Sequence, residues 1–207
     1  MPDESRPKRR FDFSNPRFTQ ISESHCGPAV IQMLLSNLDI EVSQEAIAEA
    51  GGAARLIELN GMRVDQLARA VRILAPQAQF WYRDRASLDD LARLVVDYRY
   101  PVGVEWQGLF EDREEDETDE GDYGHYSAVI IIDEKNRQLV IADPYKDFRS
   151  QDRIFPLDWF FRRWYDTNEV EDAETGAVRL VEDRQLLFII TPAEERFPRE
   201  LGLRNNL

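Results

Sequence analysis

Cys26 is the chain's only cysteine, and Gly27 and Pro28 follow it at once. Proline fits the first turn of a helix, where its missing N–H would have no partner. Ala29, Val30, Met33, Leu34 and Leu38 continue at helical spacing, so Cys26 stands at or just before a helix N-terminus. Unpaired backbone N–H groups and the positive end of the helix dipole gather at that end. They favour thiolate over thiol, the form a nucleophilic cysteine needs. Gln20 lies upstream on the chain that enters this turn, within reach of the same spot. Its side-chain amide can donate to a developing oxyanion.

A thiolate nucleophile needs a base, and the base needs a group to orient it. Two histidines are on offer, His25 and His125. His25 adjoins Cys26, and sequence neighbours at a helix start rarely face one another; it is expected to be exposed. His125 opens G-H-Y-S-A-V-I-I-I-D, a β-branched run that reads as a buried strand. A short turn leads to Q-L-V-I-A-D-P-Y, whose strand ends at Asp143-Pro144. In an antiparallel hairpin the start of one strand lies beside the end of the next. Asp143 is therefore expected alongside His125, fixing its tautomer. A lone buried cysteine is usually inert; it is the surrounding set that points to catalysis. A zinc site from Cys26, His125 and Asp143 has no ligand-pair spacing behind it, and no metal or cofactor is expected.

Gln20 and Cys-Gly-Pro on a helix, then Gly-His-Tyr on a strand, then Asp-Pro on the next, resemble the papain-like cysteine peptidases related to bacteriocin-leader (double-glycine) processing peptidases. The resemblance runs from about residue 20 to 165. V-S-Q-E-A-I-A-E-A is similar to that family's second helix, G-M-R-V-D-Q-L-A-R-A-V to its third, and Y-P-V-G-V-E-W to its strand before the histidine. It implies an α+β, papain-like fold, with an N-terminal helical part packed on an antiparallel β-sheet. It implies Cys26 as nucleophile, His125 as base, Asp143 as orienter and Gln20 in the oxyanion hole. The implied reaction is thiol-dependent peptide hydrolysis through an acyl-enzyme. If an amine replaces water, the same machinery is an acyltransferase. A papain-like interaction module with an idle triad is the alternative from another class. No transporter domain is attached, so a stand-alone member is expected, and His25 stands where leader-processing members usually carry an acidic residue.

The chain has 207 residues, 43% of them hydrophobic, enough for one core. Its formal net charge of -14 argues against nucleic acid or an anionic membrane as partner. A single cysteine makes no internal disulfide, and the charged N-terminus lacks an apolar signal core. A cytoplasmic protein with a peptide or protein substrate is expected.

The elements that must position the site read as follows. Residues 1–19 form an N-terminal extension: a basic tail, then Phe11, Phe13 and Phe18 in an extended segment. The domain proper spans 20–191. Helices are expected near 26–37, 43–50, 64–74, from Ser87 past Val95, and 156–165, with strands near 78–83, 101–106, 125–133, 138–143 and 186–191. The stretch 168–176 reads as a polar hairpin or loop, and 192–207 as a loose C-terminal tail. Nine of the twelve residues Glu111–Asp122 are acidic. Such density resists packing, so this is a loop. Tethered to Gly124-His125, it is either a solvated connection or an acidic rim that favours basic substrates.

Overall fold

The structure is a computed structural model that describes residues 17–108, 123–148, 151–171 and 176–206. The expected basic tail and the acidic loop 111–122 lie outside these residues.

Four helical segments come first: α1 (Cys26–Ser36), α2 (Gln44–Gly51), α3 (Ile57–Asn60) and α4 (Val64–Leu74). α1 is apolar on nearly every side, and a helix of that kind must be covered all round. Ala29, Val30 and Ile31 are wholly buried, with Leu34 and Leu35 close behind. α2 starts where Ser43 Oγ accepts the Ala46 N–H at 3.2 Å, a side-chain cap that satisfies one orphan donor. α3 is one helical turn inside what reads as a connection.

The strands β1 (Ala78–Arg83), β2 (Val102–Gln107), β3 (Gly124–Asp133), β4 (Gln138–Ala142), β5 (Asp152–Pro156) and β8 (Leu187–Pro192) form an antiparallel sheet in the order β1-β8-β2-β3-β4-β5. β6 (Tyr165–Glu171) and β7 (Val178–Arg184) pair as a separate hairpin. Each face of the large sheet carries its own core. Tyr126, Ala128, Phe188 and Ile190 pack with α1, α2 and α4. Val104, Trp106, Val129, Leu139, Ile141 and Ile189 pack on the far side with α5 (Leu88–Ala92), α6 (Leu157–Arg163) and the chain beyond β8. A strand buried on both faces reads as an unbroken apolar run rather than an alternation, and that is the pattern of β3.

Three expectations change. The helix from Ser87 opens with a Ser87–Asp90 capping box but widens into a π-turn over Arg93–Asp97, with the Tyr98 N–H reaching Arg93 O at 3.0 Å. The helix expected to 165 ends at Arg163, where the indole of Trp164 turns to donate to Leu186 O at 2.9 Å. The polar hairpin or loop expected over 168–176 holds where it is described, with Asn168 to Glu171 paired to Val181 to Val178 in β6–β7. The segment after Pro192 is not loose. Leu201 is buried, Phe197 stacks edge-on to Trp81 at 5.4 Å, and Arg204 forms an antiparallel bridge with Tyr82 on the edge strand β1. Burying one leucine contributes about 1.5–3 kcal/mol, and the bridge satisfies edge groups that would otherwise be open for pairing. Among the described residues of that stretch, Phe197, Leu201 and Leu203 are the apolar side chains packed on this core, too few to show as a period.

Candidate active site

α1 begins at Cys26 itself, so the half-buried thiol sits on the first turn, where backbone N–H groups lack helical partners. Gly27 is what lets that turn lie flat on β3: a Cβ there would meet Leu67 and Tyr126 side-chain carbons at 3.2–3.3 Å. Tyr126 is the residue after His125, so the close approach at Gly27 brings the two strand-end and helix-end groups together.

His125 is buried at the start of β3. Its Nε2 lies 2.8 Å from Asp143 Oδ1, and the Cys26 side chain is within hydrogen-bonding reach of the same ring. Burial pulls the imidazole toward neutrality, but Asp143 and then Cys26 more than offset it and raise its pKa to about 10. Asp143 is itself buried, which pushes its carboxyl up; His125, the Tyr145 N–H and Arg153 outweigh this and hold it at about 2. An ionised carboxylate only accepts, so Nε2–H is the donor and Nδ1 is left for the sulfur.

Asp143 does not sit directly across from His125. β3 pairs with β4 at Ala128↔Ala142, and the register shifts between Val129 and Ile131. Continued one step, this places Asp143 opposite Ser127, so it reaches His125 on the diagonal, two residues along. β4 ends at Ala142, which leaves the side of the β3 start open for the imidazole and carboxylate to meet. Trp106, across from His125 on β2, donates its indole N–H to Ser127 Oγ at 3.1 Å and packs beside the imidazole, ring centres 6.5 Å apart.

Gln20 is buried, and its main-chain N–H donates to Pro144 O at 2.8 Å, tying the entering chain to the residue after Asp143. Its Nε2 donates to Ser22 O at 2.8 Å and Glu23 O at 3.0 Å, so the amide braces the turn that delivers Cys26. Its Oε1 is buried and has no hydrogen-bond partner among the described residues. Lys146 pairs with Glu23 and closes the same junction from outside.

His25 is not exposed as expected. It is 6% exposed, its Nδ1 lies 2.6 Å from Ser22 Oγ, and Glu58 stands at 3.6 Å. The turn Ser22–His25 folds back on itself through the His25 N–H to Ser22 O bond at 3.3 Å, which carries the ring inward.

Arg153 also reaches the site, although no motif in the sequence marks it. It is buried on β5, and its Nη1 lies 2.9 Å from Asp143 Oδ2. The strand D-R-I-F-P inverts the usual pattern, with Arg153 and Phe155 inward and Ile154 61% exposed. Alternation of burial is there, but the inward charge hides it.

Among the described residues no group of three or more His, Cys, Asp or Glu side chains is placed to hold a metal ion. No helix among them is long and apolar enough to cross a membrane.

Residues 14–171 match the Peptidase C39-like family, about three quarters of the chain. The chain belongs to this family. Its fold is shared with the peptidase domain of Streptococcus ComA, a bifunctional ABC transporter of a quorum-sensing pathway. That likeness has a TM-score of 0.55 at 19% identity, covering 84% of this chain and 96% of that one. It is also shared with a double-glycine-motif protease from an AMS/PCAT transporter, solved in complex with the leader peptide. Here the TM-score is 0.52 at 18% identity, over 86% of this chain and 91% of that one. No curated protein matches the sequence. The family and the fold give the α+β, papain-like architecture as the chain's own: helices and an antiparallel sheet meeting at Cys26 and His125.

Proposed function

We propose that this C39-like chain is a cysteine peptidase that hydrolyses peptide bonds through an acyl-enzyme. The observation that carries this reading is the buried His125, bonded to Asp143 on one side and facing Cys26 on the other. In the proposed reaction Cys26 sulfur attacks the scissile carbonyl carbon, and His125 holds the thiol proton as imidazolium. The tetrahedral oxyanion faces the Cys26 backbone N–H at the helix end. Gln20 joins it by exchanging one of its turn carbonyls for the oxyanion. Collapse expels the amine, which takes the proton from His125, and the acyl group stays on sulfur. Water then gives a proton to the neutral imidazole and attacks the thioester, releasing the acid and restoring the thiol.

A second reading has one observation in its favour. Both Gln20 amide protons are engaged by the turn, as they would be in an interaction module whose triad is idle. Alkylation separates the two. The peptidase reading expects Cys26 to react with iodoacetamide at least tenfold faster than a free thiol at pH 6, with a rate that changes through the site's titrations. A rate no faster than that of a free thiol, with ordinary thiol pH dependence, would sink it.

The substrate in this reading is a peptide, as the leader-bound neighbour supports by analogy. The acidic stretch 111–122, joined to His125 by two residues, would draw Lys- or Arg-rich peptides. Replacing its Asp and Glu by Asn and Gln is expected to raise KM for basic peptides at low salt, with kcat little changed. Unchanged charge preference and salt dependence would make the stretch a mere connection.

A further inference from the structure

The Asp143 carboxylate is held from two sides. Oδ1 accepts His125 Nε2–H at 2.8 Å and the Tyr145 N–H at 3.0 Å, and Oδ2 accepts Arg153 Nη1–H at 2.9 Å. The guanidinium has little freedom of its own. Its carbon lies 3.7 Å from the ring centre of Phe148 and 4.8 Å from that of Phe155. The side chain is 8% exposed. The charged groups facing Asp143 are His125 from β3 and Arg153 from β5, with Cys26 of α1 behind His125.

These two cations differ in one respect that matters for the cycle. His125 must lose its proton to the leaving amine, and it is neutral throughout the acyl-enzyme. Asp143 is then a buried anion facing an uncharged ring, and burial favours protonating it. A guanidinium does not titrate in proteins.

We propose that Arg153 is a positioning residue for the proposed reaction: it fixes the Asp143 carboxylate with Oδ1 toward His125 and keeps it charged while the imidazole is neutral. The proposal rests on the peptidase reading for its kinetic consequence, but the arrangement of Asp143 and Arg153 can be tested without turnover. Loss of Arg153 leaves Asp143 free to take a proton in the acyl-enzyme, and a protonated Asp143 no longer holds His125 in the tautomer that accepts from water. Deacylation therefore suffers more than acylation.

The test uses Arg153→Met, which removes the charge and keeps the stem, and Arg153→Lys, which keeps charge without the fork. Each is first checked by near-ultraviolet circular dichroism for native packing. Carbon-13 titration of the Asp143 carboxyl then reads the first arm. Its midpoint should rise by about one unit or more in Arg153→Met and by less in Arg153→Lys. The second arm is the acid limb of the deacylation rate, followed with an ester substrate. It should move to higher pH in Arg153→Met, with kcat and KM falling together so that kcat/KM changes little, and with partial recovery in Arg153→Lys. An Asp143 midpoint equal to wild type in a folded Arg153→Met protein would overturn the proposal. A shifted midpoint without any hydrolysis in wild type would instead leave Arg153 in its role toward Asp143 and remove the peptidase reading. If Arg153→Met does not fold, Arg153→Lys alone decides, by a raised or an unmoved midpoint.

Discussion

Cys26→Ala and His125→Ala are each expected to lower peptide turnover by about five to six decades, as loss of a nucleophile or its base does in serine peptidases. Both variants should keep the fold. Cys26 is half-buried, and alanine removes one polarisable atom from the first turn of α1 without touching the backbone N–H groups. His125→Ala leaves a small void, but the carboxylate it faced is still paired with Arg153 and the Tyr145 N–H. No buried charge is orphaned, so the large penalty for breaking an ion pair from one side does not apply. His25→Ala is the control. His25 is also a buried histidine, and it adjoins the nucleophile, but its bonds go to Ser22 and the side of Glu58. Its loss loosens the entering turn and should cost about tenfold or less. Steady-state kinetics on the three variants decide the matter. Wild-type turnover in His125→Ala with none in His25→Ala would reverse the assignment of the base.

Asp143→Asn is expected to lower the rate by about two to four decades, the range seen when a tautomer-fixing carboxylate becomes an amide. The same variant should change how stability depends on pH. His125 is raised from 6.5 to about 10 in the folded protein, so between those values the folded state holds a proton that the unfolded state has lost. Its contribution is fully present below pH 6.5 and is lost as pH rises through 10. Asp143 is lowered from 3.8 to about 2, so its contribution is present above 3.8 and is lost as pH falls through 2. Wild type should therefore be most stable between pH 3.8 and 6.5 as far as this pair decides. In Asp143→Asn the larger of the two influences that raise His125 is gone while its burial and Cys26 remain, so the loss of stability on the alkaline side should shrink. The asparagine also leaves Arg153 buried without its counter-ion, so the variant should be less stable at neutral pH. Urea unfolding at several pH values reads both effects. A wild-type rate would mean that another group orients His125; an unchanged alkaline slope would mean that Asp143 does not raise it.

The chemistry-bearing motifs were legible because they sit where local rules are strong. Proline after Cys-Gly marks a helix start, and α1 begins at Cys26. The apolar run after His125 marks a strand, and β3 begins one residue earlier, at Gly124. Val64 to Leu74 shows a clean helical period, and α4 has those bounds. What was not legible depends on tertiary partners. β5 turns a charge inward because Asp143 waits for it, which no local pattern announces. His25 is buried by a turn whose closure relies on Ser22 and Glu58 from outside the helix. The diagonal approach of Asp143 to His125 follows from one register shift in β3 and β4. The segment after Pro192 is held by a bridge to Tyr82, more than a hundred residues away in sequence.

The proposed reaction stands or falls on whether Cys26 breaks peptide bonds. The most direct test is a peptide-library digest read by mass spectrometry, run side by side with the unsubstituted chain and with Cys26→Ala. Cleavage products, enriched among basic peptides, are expected with the unsubstituted chain, and none above background with Cys26→Ala. Cleavage that survives Cys26→Ala would contradict it, as would an intact, folded chain that cleaves nothing across the library.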